Sequence, residues 1–326
     1  MGEGGEQPAS VLKVVAKESV AQDVLSLTLA HPDGLRLPDW APGAHIDVVL
    51  PDGQARQYSL CGDRWDAFTY RIGVLRDGAG RGGSIFIHDD LVVGDVIGYG
   101  GPRNNFRLAP ARRYLFIAGG IGITPLLPMI RQAEIGGVEW QLVYGGRTRG
   151  SMAFLDELSD YGDRVEVMPQ DEVGFPDLVG ILGADDPVPD GDPAAFKVYV
   201  CGPAGLLDAV DALCTHWPAG RVRMERFVPR DTGNPVRDTP FEVELARSGT
   251  VVTVSPEASI LDTLRRRGIG VLSSCRVGTC GTCETDVLAG IPDHRDSVLA
   301  DHERSAAASM LICVSRSCSD RIVLDL

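Results

Sequence analysis

The sequence has no apolar run approaching the roughly 20 residues that a bilayer-spanning helix needs. Its first ten residues are polar, with neither a basic start nor an apolar stretch. No secretory signal is therefore expected, and the chain is read as cytoplasmic. Basic residues are in the minority, with 31 Lys and Arg against 45 Asp and Glu, a formal net charge of −14. Gripping a phosphate backbone takes a basic face, so nucleic acid is not an expected partner. The acidity serves solubility, and it would also speed encounter with a partner carrying a basic patch. Repeats and low-complexity tracts are missing. So is a disulfide framework: Cys61, Cys201, Cys214 and Cys318 are scattered without a pairing pattern and read as free thiols.

The other four cysteines are patterned. Cys275, Cys280 and Cys283 read C-x4-C-x2-C, and Cys313 follows after 29 residues. That is the spacing of a plant-type 2Fe–2S ferredoxin. The first three lie in a loop that also holds Gly278 and Gly281, which let the backbone wrap a cluster. A zinc module would show paired C-x2-C, and here Cys275 and Cys313 are unpaired. Such a cluster moves one electron at a time, so the remaining residues must supply the donor.

At 326 residues the chain is too long for one such module, and about two more domains fit. Between 11 and 99, short β-branched or alternating runs (11–15, 24–29, 45–50, 57–60, 68–75 and 96–99) are separated by Gly, Pro and Asp. This predicts a small antiparallel barrel, interrupted by one helix near 84–90. From about 111 the pattern changes to strands at 114–118, 140–144, 165–168 and 198–201, alternating with helices at 125–133, 154–158 and 206–213. That predicts a parallel sheet covered on both faces. Residues 229–239 are polar with Pro and Gly and read as a linker. Beyond it come a hairpin-like pair, 241–245 and 251–254, and a helix with Ser259 as N-cap and Gly268 as its stop. The expected domains are thus 8–109, 110–228 and 240–326.

Three local patterns carry binding chemistry. Gly119-Gly120-Ile121-Gly122-Ile123-Thr124-Pro125 follows a buried strand and opens a helix. Glycines admit a pyrophosphate to the backbone, and a helix N-terminus offers free N–H groups. Thr124 is expected to cap the helix and Pro125 to occupy its first position. Proline stands where G-x-G-x-x-G has its last glycine, so the ordinary dinucleotide fingerprint fails. Cys201-Gly202-Pro203 ends a second strand just before a helix, at the edge where parallel sheets bind ligands. On the strand Arg56-Gln57-Tyr58-Ser59-Leu60, alternation puts Arg56 and Tyr58 on one face and Ser59 on the other or at an edge. An arginine can pair with a phosphate, a tyrosine can cover a ring, and a serine can reach a ring nitrogen. Arg81-Gly82-Gly83-Ser84 offers a second phosphate position.

Arg56-x-Tyr58-Ser59, Gly119-Gly120-x-Gly122-x-Thr124-Pro125, Cys201-Gly202-Pro203 and Glu225-Arg226-Phe227, in this order, resemble the ferredoxin–NADP reductase superfamily. The C-terminal ferredoxin module narrows the resemblance to the phthalate dioxygenase reductase and vanillate demethylase reductase group, over nearly the whole chain from about residue 10. The resemblance implies a flavin barrel, an NAD(H)-binding α/β domain and a β-grasp ferredoxin domain. With the ferredoxin module C-terminal, the implied flavin is FMN rather than FAD. Arg56, Gln57, Tyr58, Ser59, Gly73, Val74, Leu75, Gly82, Gly83 and Ser84 would hold it. Arg56 would meet its phosphate, Tyr58 its ring, and Ser59 the region of N5. Gly120, Gly122, Thr124, Arg147, Gly202 and Pro203 would receive NADH, with Cys201 beside the nicotinamide. Glu225 matches the family's active-site glutamate, and Phe227 stands where many relatives end in a flavin-shielding tyrosine.

NADH gives two electrons as a hydride and a 2Fe–2S cluster accepts one at a time, so something must split the pair, and a flavin can. The expected activity is a monomeric reductase passing electrons from NADH through FMN and the cluster to an oxygenase. That oxygenase would be a Rieske-type enzyme, or alternatively a haem-thiolate monooxygenase. A redox sensor is the non-enzyme alternative, and it would need no hydride-transfer site. Arg147 and Arg149, after the second strand of the middle domain, leave NADPH open, because an arginine there could bind a 2′-phosphate.

Overall fold

The computed structural model describes residues 10–80, 82–183, 192, 194–299 and 301–326. The chain divides into two compact units, one ending at Glu225 and the other beginning at Arg226.

The first unit opens with strands β1 (Val11–Ala21), β2 (Val24–Ala30), β3 (His45–Val49), β4 (Ala55–Ser59), β5 (Thr69–Leu75) and β6 (Val96–Arg103), with helix α1 (Gly83–Asp89) before β6. They form an antiparallel sheet in the order β4-β3-β6-β1-β2-β5. A bridge between Leu60 and Ile72 brings the end of β4 to β5 and closes the sheet on itself. The inward-facing alternation along β1 and β2 delivers Leu12, Val14, Leu27 and Leu29 to a core shared with Ile46, Val48, Leu60 and Ile72. β1 runs six residues past its expected end, because the polar stretch Lys17–Ala21 forms a hairpin with β2. Its turn holds Asp23 at φ 59.

A parallel sheet follows: β7 (Arg113–Gly119), β8 (Glu139–Gly146), β9 (Val165–Pro169), β10 (Lys197–Cys201) and β11 (Val222–Glu225), ordered β11-β10-β7-β8-β9. Helices α2 (Ile123–Ile135), α3 (Leu155–Ser159), α4 (Gln170–Val173), α5 (Leu178–Leu182) and α6 (Ala204–Cys214) connect the strands. The chain leaves β7 toward β8 on one side and later returns to β10 on the other. The switch point therefore lies between the carboxyl ends of β7 and β10, where open α/β sheets bind ligands. Barrel residues Val24, Cys61 and Phe106 share a core with Phe116, Leu126, Tyr144 and Tyr199, so barrel and parallel sheet are joined by an apolar seam.

The second unit contains β12 (Phe241–Leu245), β13 (Thr250–Val254), α7 (Ile260–Arg266), β14 (Glu284–Ala289), β15 (Pro292–Asp293), α8 (Asp301–Ala306), β16 (Ser309–Leu311), β17 (Arg316–Ser317) and β18 (Arg321–Leu324). Its main sheet runs β13-β12-β18-β14-β16, with β12 and β18 parallel, and β15 pairs with β17. Ile260, Leu261 and Leu264 of α7 pack into its core in a β-grasp arrangement. Ser259 caps α7 by accepting from the Asp262 N–H at 3.0 Å, and Gly268 turns the chain away at φ 74, both as the sequence indicates. Among the described residues no helix is long and apolar enough to cross a membrane.

Candidate functional site

The glycine loop and the Cys-Gly-Pro loop lie against each other at the switch point. A Cβ on Gly119 would sit 2.6 Å from Pro203 Cδ, and one on Gly122 only 2.2 Å from the Cys201 carbonyl oxygen. Glycine at 122 is thus required by backbone packing. Gly120 differs: its φ is 54° and a Cβ there would meet nothing within 4 Å. It is the open position of the loop. A 3-10 turn (Gly120–Gly122) precedes α2, and the N-cap is Gly122. The expected cap at Thr124 is therefore corrected. Thr124 and Pro125 lie inside the first turn, and the Thr124 hydroxyl donates to the Ile121 carbonyl at 2.9 Å.

Parallel pairing sets Cys201 opposite Glu225. The Cys201 thiol is fully buried, and burial together with the Glu225 carboxylate pushes its pKa well up. Glu225 is half-buried and its carboxyl is closely surrounded by protein, and this desolvation raises its pKa to about 8. The Ser59 hydroxyl donates to Glu225 Oε2 at 3.5 Å and offsets part of that rise. Ser59 is buried on the last residue of β4, so barrel and parallel sheet meet at this pair. No local pattern links residues 59, 201 and 225; only the fold assembles them.

On the barrel, the Arg56 side chain lies over the start of α1, where a Cβ on Gly83 would be 2.8 Å from Arg56 Cγ. Gly82 precedes it at φ 82. A guanidinium and the amides of a helix start thus occupy one place, and the small residue leaves room for the arginine. Arg56 also donates to the Ala55 carbonyl and to Gln54 Oε1. Arg81 falls outside the described residues. The Ser84 hydroxyl accepts from the Asp77 N–H at 3.0 Å, which ties Asp77 to the start of α1. The Gln57 amide donates to Asp47 at 2.6 Å, and Arg103 pairs with the same carboxylate at 2.5 Å. Tyr58 packs at the margin of the barrel core, and burial raises its hydroxyl pKa to about 12.

Beyond the Leu60–Ile72 bridge, β5 has no further strand on its outer edge among the described residues. Gly73 sits there under Thr124 and Phe154, where a Cβ would be 2.7 and 3.3 Å from their side chains. The Val74 side chain is in the barrel core and its carbonyl contacts His88 Nε2 at 2.9 Å, while Leu75 is exposed. At the other side of the switch point Arg149 pairs with Glu172 at 2.8 Å. Arg147 is exposed at the end of β8. Phe227 opens the second unit and is 41% exposed rather than buried in a core.

In the second unit the four patterned cysteines are all buried. Cys275 Sγ faces the sulfurs of Cys280 and Cys313, and Cys283 faces Cys313. Cys313 follows β16, whose pairing with β14 brings it to the loop. The Val277 N–H donates to Cys275 Sγ at 3.4 Å, the kind of bond that tunes a cluster's potential. Gly278, at φ 76, sits under Val314 and Asp296 and could carry no side chain without displacing them. The arrangement fits a 2Fe–2S group held by four thiolates, the make-up of an electron carrier.

Residues 243–318 match the 2Fe-2S iron-sulfur cluster binding domain. The chain is 44% identical over 318 residues to a phenoxybenzoate dioxygenase subunit beta of Ectopseudomonas oleovorans, covering 97% of each. It is 41% identical over 321 residues to the phthalate dioxygenase reductase of Burkholderia cepacia, again covering 97% of each. A solved phthalate dioxygenase reductase, described as a modular structure for electron transfer from pyridine nucleotides to [2Fe-2S], aligns with TM-score 0.68 at 40% identity over 97% of both chains. An intact type IV self-sufficient cytochrome P450 monooxygenase aligns with TM-score 0.89 at 42% identity; the match covers 98% of this chain and 41% of that longer one. The chain belongs to the phthalate dioxygenase reductase family, several of whose members are named as reductases of oxygenase systems.

Proposed function

We propose that this chain is the NADH-dependent reductase of a Rieske-type oxygenase, with FMN in the barrel and a 2Fe–2S cluster on Cys275, Cys280, Cys283 and Cys313. The observation that carries the reading is the meeting of Ser59 with Glu225 beside Cys201, where the flavin strand reaches the switch point of the parallel sheet.

Bound FMN supplies the chemistry that takes a hydride from NADH and hands on electrons singly. Arg56 and the backbone at Gly82 and Gly83 would hold its phosphate, and Tyr58 and Ser59 would face its ring system. The open edge of β5 at 73–75 leaves backbone for the ring to meet. Gly120 admits the NADH pyrophosphate at the start of α2, with the Thr124 hydroxyl stiffening the turn. Cys201, Gly202 and Pro203 would line the place of the nicotinamide. The buried Cys201 thiol is neutral at pH 7 and acts there by shape. Glu225 is largely protonated at pH 7 and is held by the Ser59 hydroxyl, which keeps charge away from the transfer site. The exposed Arg147 carries NADPH use as a secondary reading.

The names of the full-length relatives favour dioxygenase partners. The P450 alignment supports a haem-thiolate acceptor as the second reading. The test is to release and identify the flavin, then measure NADH-driven turnover with one purified oxygenase of each type. Flavin-free, folded protein would overturn the reading. Turnover only with the haem-thiolate enzyme would reverse the choice of partner.

A further inference from the structure

The seam between barrel and parallel sheet holds a charged cluster that the site above does not use. Glu157, on α3, accepts from Arg71 of β5 through both carboxylate oxygens, at 2.6 and 2.9 Å. It also accepts from Arg131 of α2. Arg131 reaches across to the barrel and donates to the carbonyls of Cys61 and Gly62, at 3.1 and 2.8 Å. Arg71 donates to the Cys61 carbonyl as well, at 2.9 Å. All three charged side chains are about two-thirds or more buried.

The positions of these contacts matter. Cys61 and Gly62 directly follow the Arg56–Leu60 strand. Arg71 lies two residues before Gly73 on the open edge of β5. Arg131 lies on the helix whose start is the glycine loop. Phe154, at φ 63, is held in a strained left-handed conformation, with Arg71 stacked 5.1 Å from its ring and that ring pressed toward Gly73. One carboxylate thus ties both flavin-bearing strands to the helix that presents the nucleotide. A bidentate guanidinium–carboxylate pair fixes orientation as well as distance.

We infer that Glu157 is a positioning residue for hydride delivery: through Arg71 and Arg131 it sets the register between the flavin strands and the nucleotide loop. This rests on the reductase reading above. Glu157 itself touches neither reactant. A displacement of about 1 Å between donor and acceptor costs on the order of a hundredfold in rate. Loosening the cluster should therefore slow chemistry and leave nucleotide affinity, set within the parallel sheet, unchanged.

The experiment compares the full-length holoprotein with Glu157→Gln, Glu157→Asp and Arg131→Lys. Flavin bleaching at saturating NADH is followed in single turnover, with NADH and with NADH deuterated at the transferred position. For Glu157→Gln we expect the bleaching rate to fall about tenfold or more. The NADH concentration for half-maximal rate should stay within about twofold, and the isotope effect should rise. Cluster reduction by dithionite should keep its wild-type spectrum. Glu157→Asp should recover part of the rate. A merely structural role would lower the melting temperature and leave the rate of the folded fraction intact, and that result overturns the proposal. If Glu157→Gln does not fold, Arg131→Lys, which keeps the charge but loses the fork, carries the same expectation. Absence of NADH-driven bleaching in the wild type would instead overturn the reductase reading.

Discussion

Ser59 and Glu225, 166 residues apart, meet at 3.5 Å where the barrel joins the parallel sheet. The carboxyl is enclosed by protein, and its pKa rises to about 8. A carboxyl whose pKa is higher folded than unfolded binds its proton more tightly in the native state. Its favourable contribution is complete below the ordinary pKa of 4.5 and is lost as pH climbs through 8.

Glu225→Gln should therefore flatten the fall in stability between pH 5 and pH 9, seen as a smaller loss of melting temperature across that window. In the wild type, the rate of flavin reduction by NADH should inflect near pH 8, and in Glu225→Gln that inflection should vanish. An unaltered pH–rate profile in the variant would show that Glu225 does not set the pH dependence of flavin reduction.

Two glycines of one loop should respond differently to alanine. Gly122→Ala drives a Cβ to 2.2 Å from a backbone oxygen, which no rotamer can relieve. A loss of about 3 kcal/mol is expected, measured by urea unfolding. Gly120→Ala meets open space and bears only the left-handed backbone, costing about 1 kcal/mol. It should fold, and it should raise the Michaelis constant for NADH.

Arg56→Ala should weaken flavin retention without unfolding the barrel. Hydrogen bonds to a charged group contribute about 1.5–3 kcal/mol, so the dissociation constant should rise roughly ten- to a hundredfold. Fluorescence of released flavin on dilution reads this directly. Arg56→Lys should recover only part, because a point charge lacks the planar fork.

Serine at Cys275, Cys280, Cys283 or Cys313 should abolish the visible absorbance of the cluster, and serine at Cys318 should leave it intact. Cys318 is the exposed cysteine, and partial burial with Asp293 nearby raises its thiol pKa. Iodoacetamide should modify it in the native holoprotein, slowly at pH 7 and faster as pH rises.

Much of the chemistry was written locally. The cysteine spacing needed no fold to point to a cluster, because three of the four cysteines share one loop and so stand in a set sequence relation. Strand alternation to residue 99 and strand–helix alternation after 111 announced the barrel and the parallel sheet. β11 leaves no signal in the sequence, since the edge strand Val222–Glu225 mixes arginine and glutamate with its apolar residues and shows no buried run. Thr124 has a side chain suited to a cap, yet the 3-10 turn before it moves the N-cap two residues back, to Gly122.

By itself the sequence supplied the candidate residues for phosphate, nucleotide and iron, through composition and short spacing. Only the tertiary structure decided why Gly122 must be glycine, that Cys201 stands opposite Glu225, and that Glu157 bridges Arg71 and Arg131. The reason is physical. Those relations depend on parallel register and on the packing of two sheets, which join residues far apart in the chain and leave no periodicity to read.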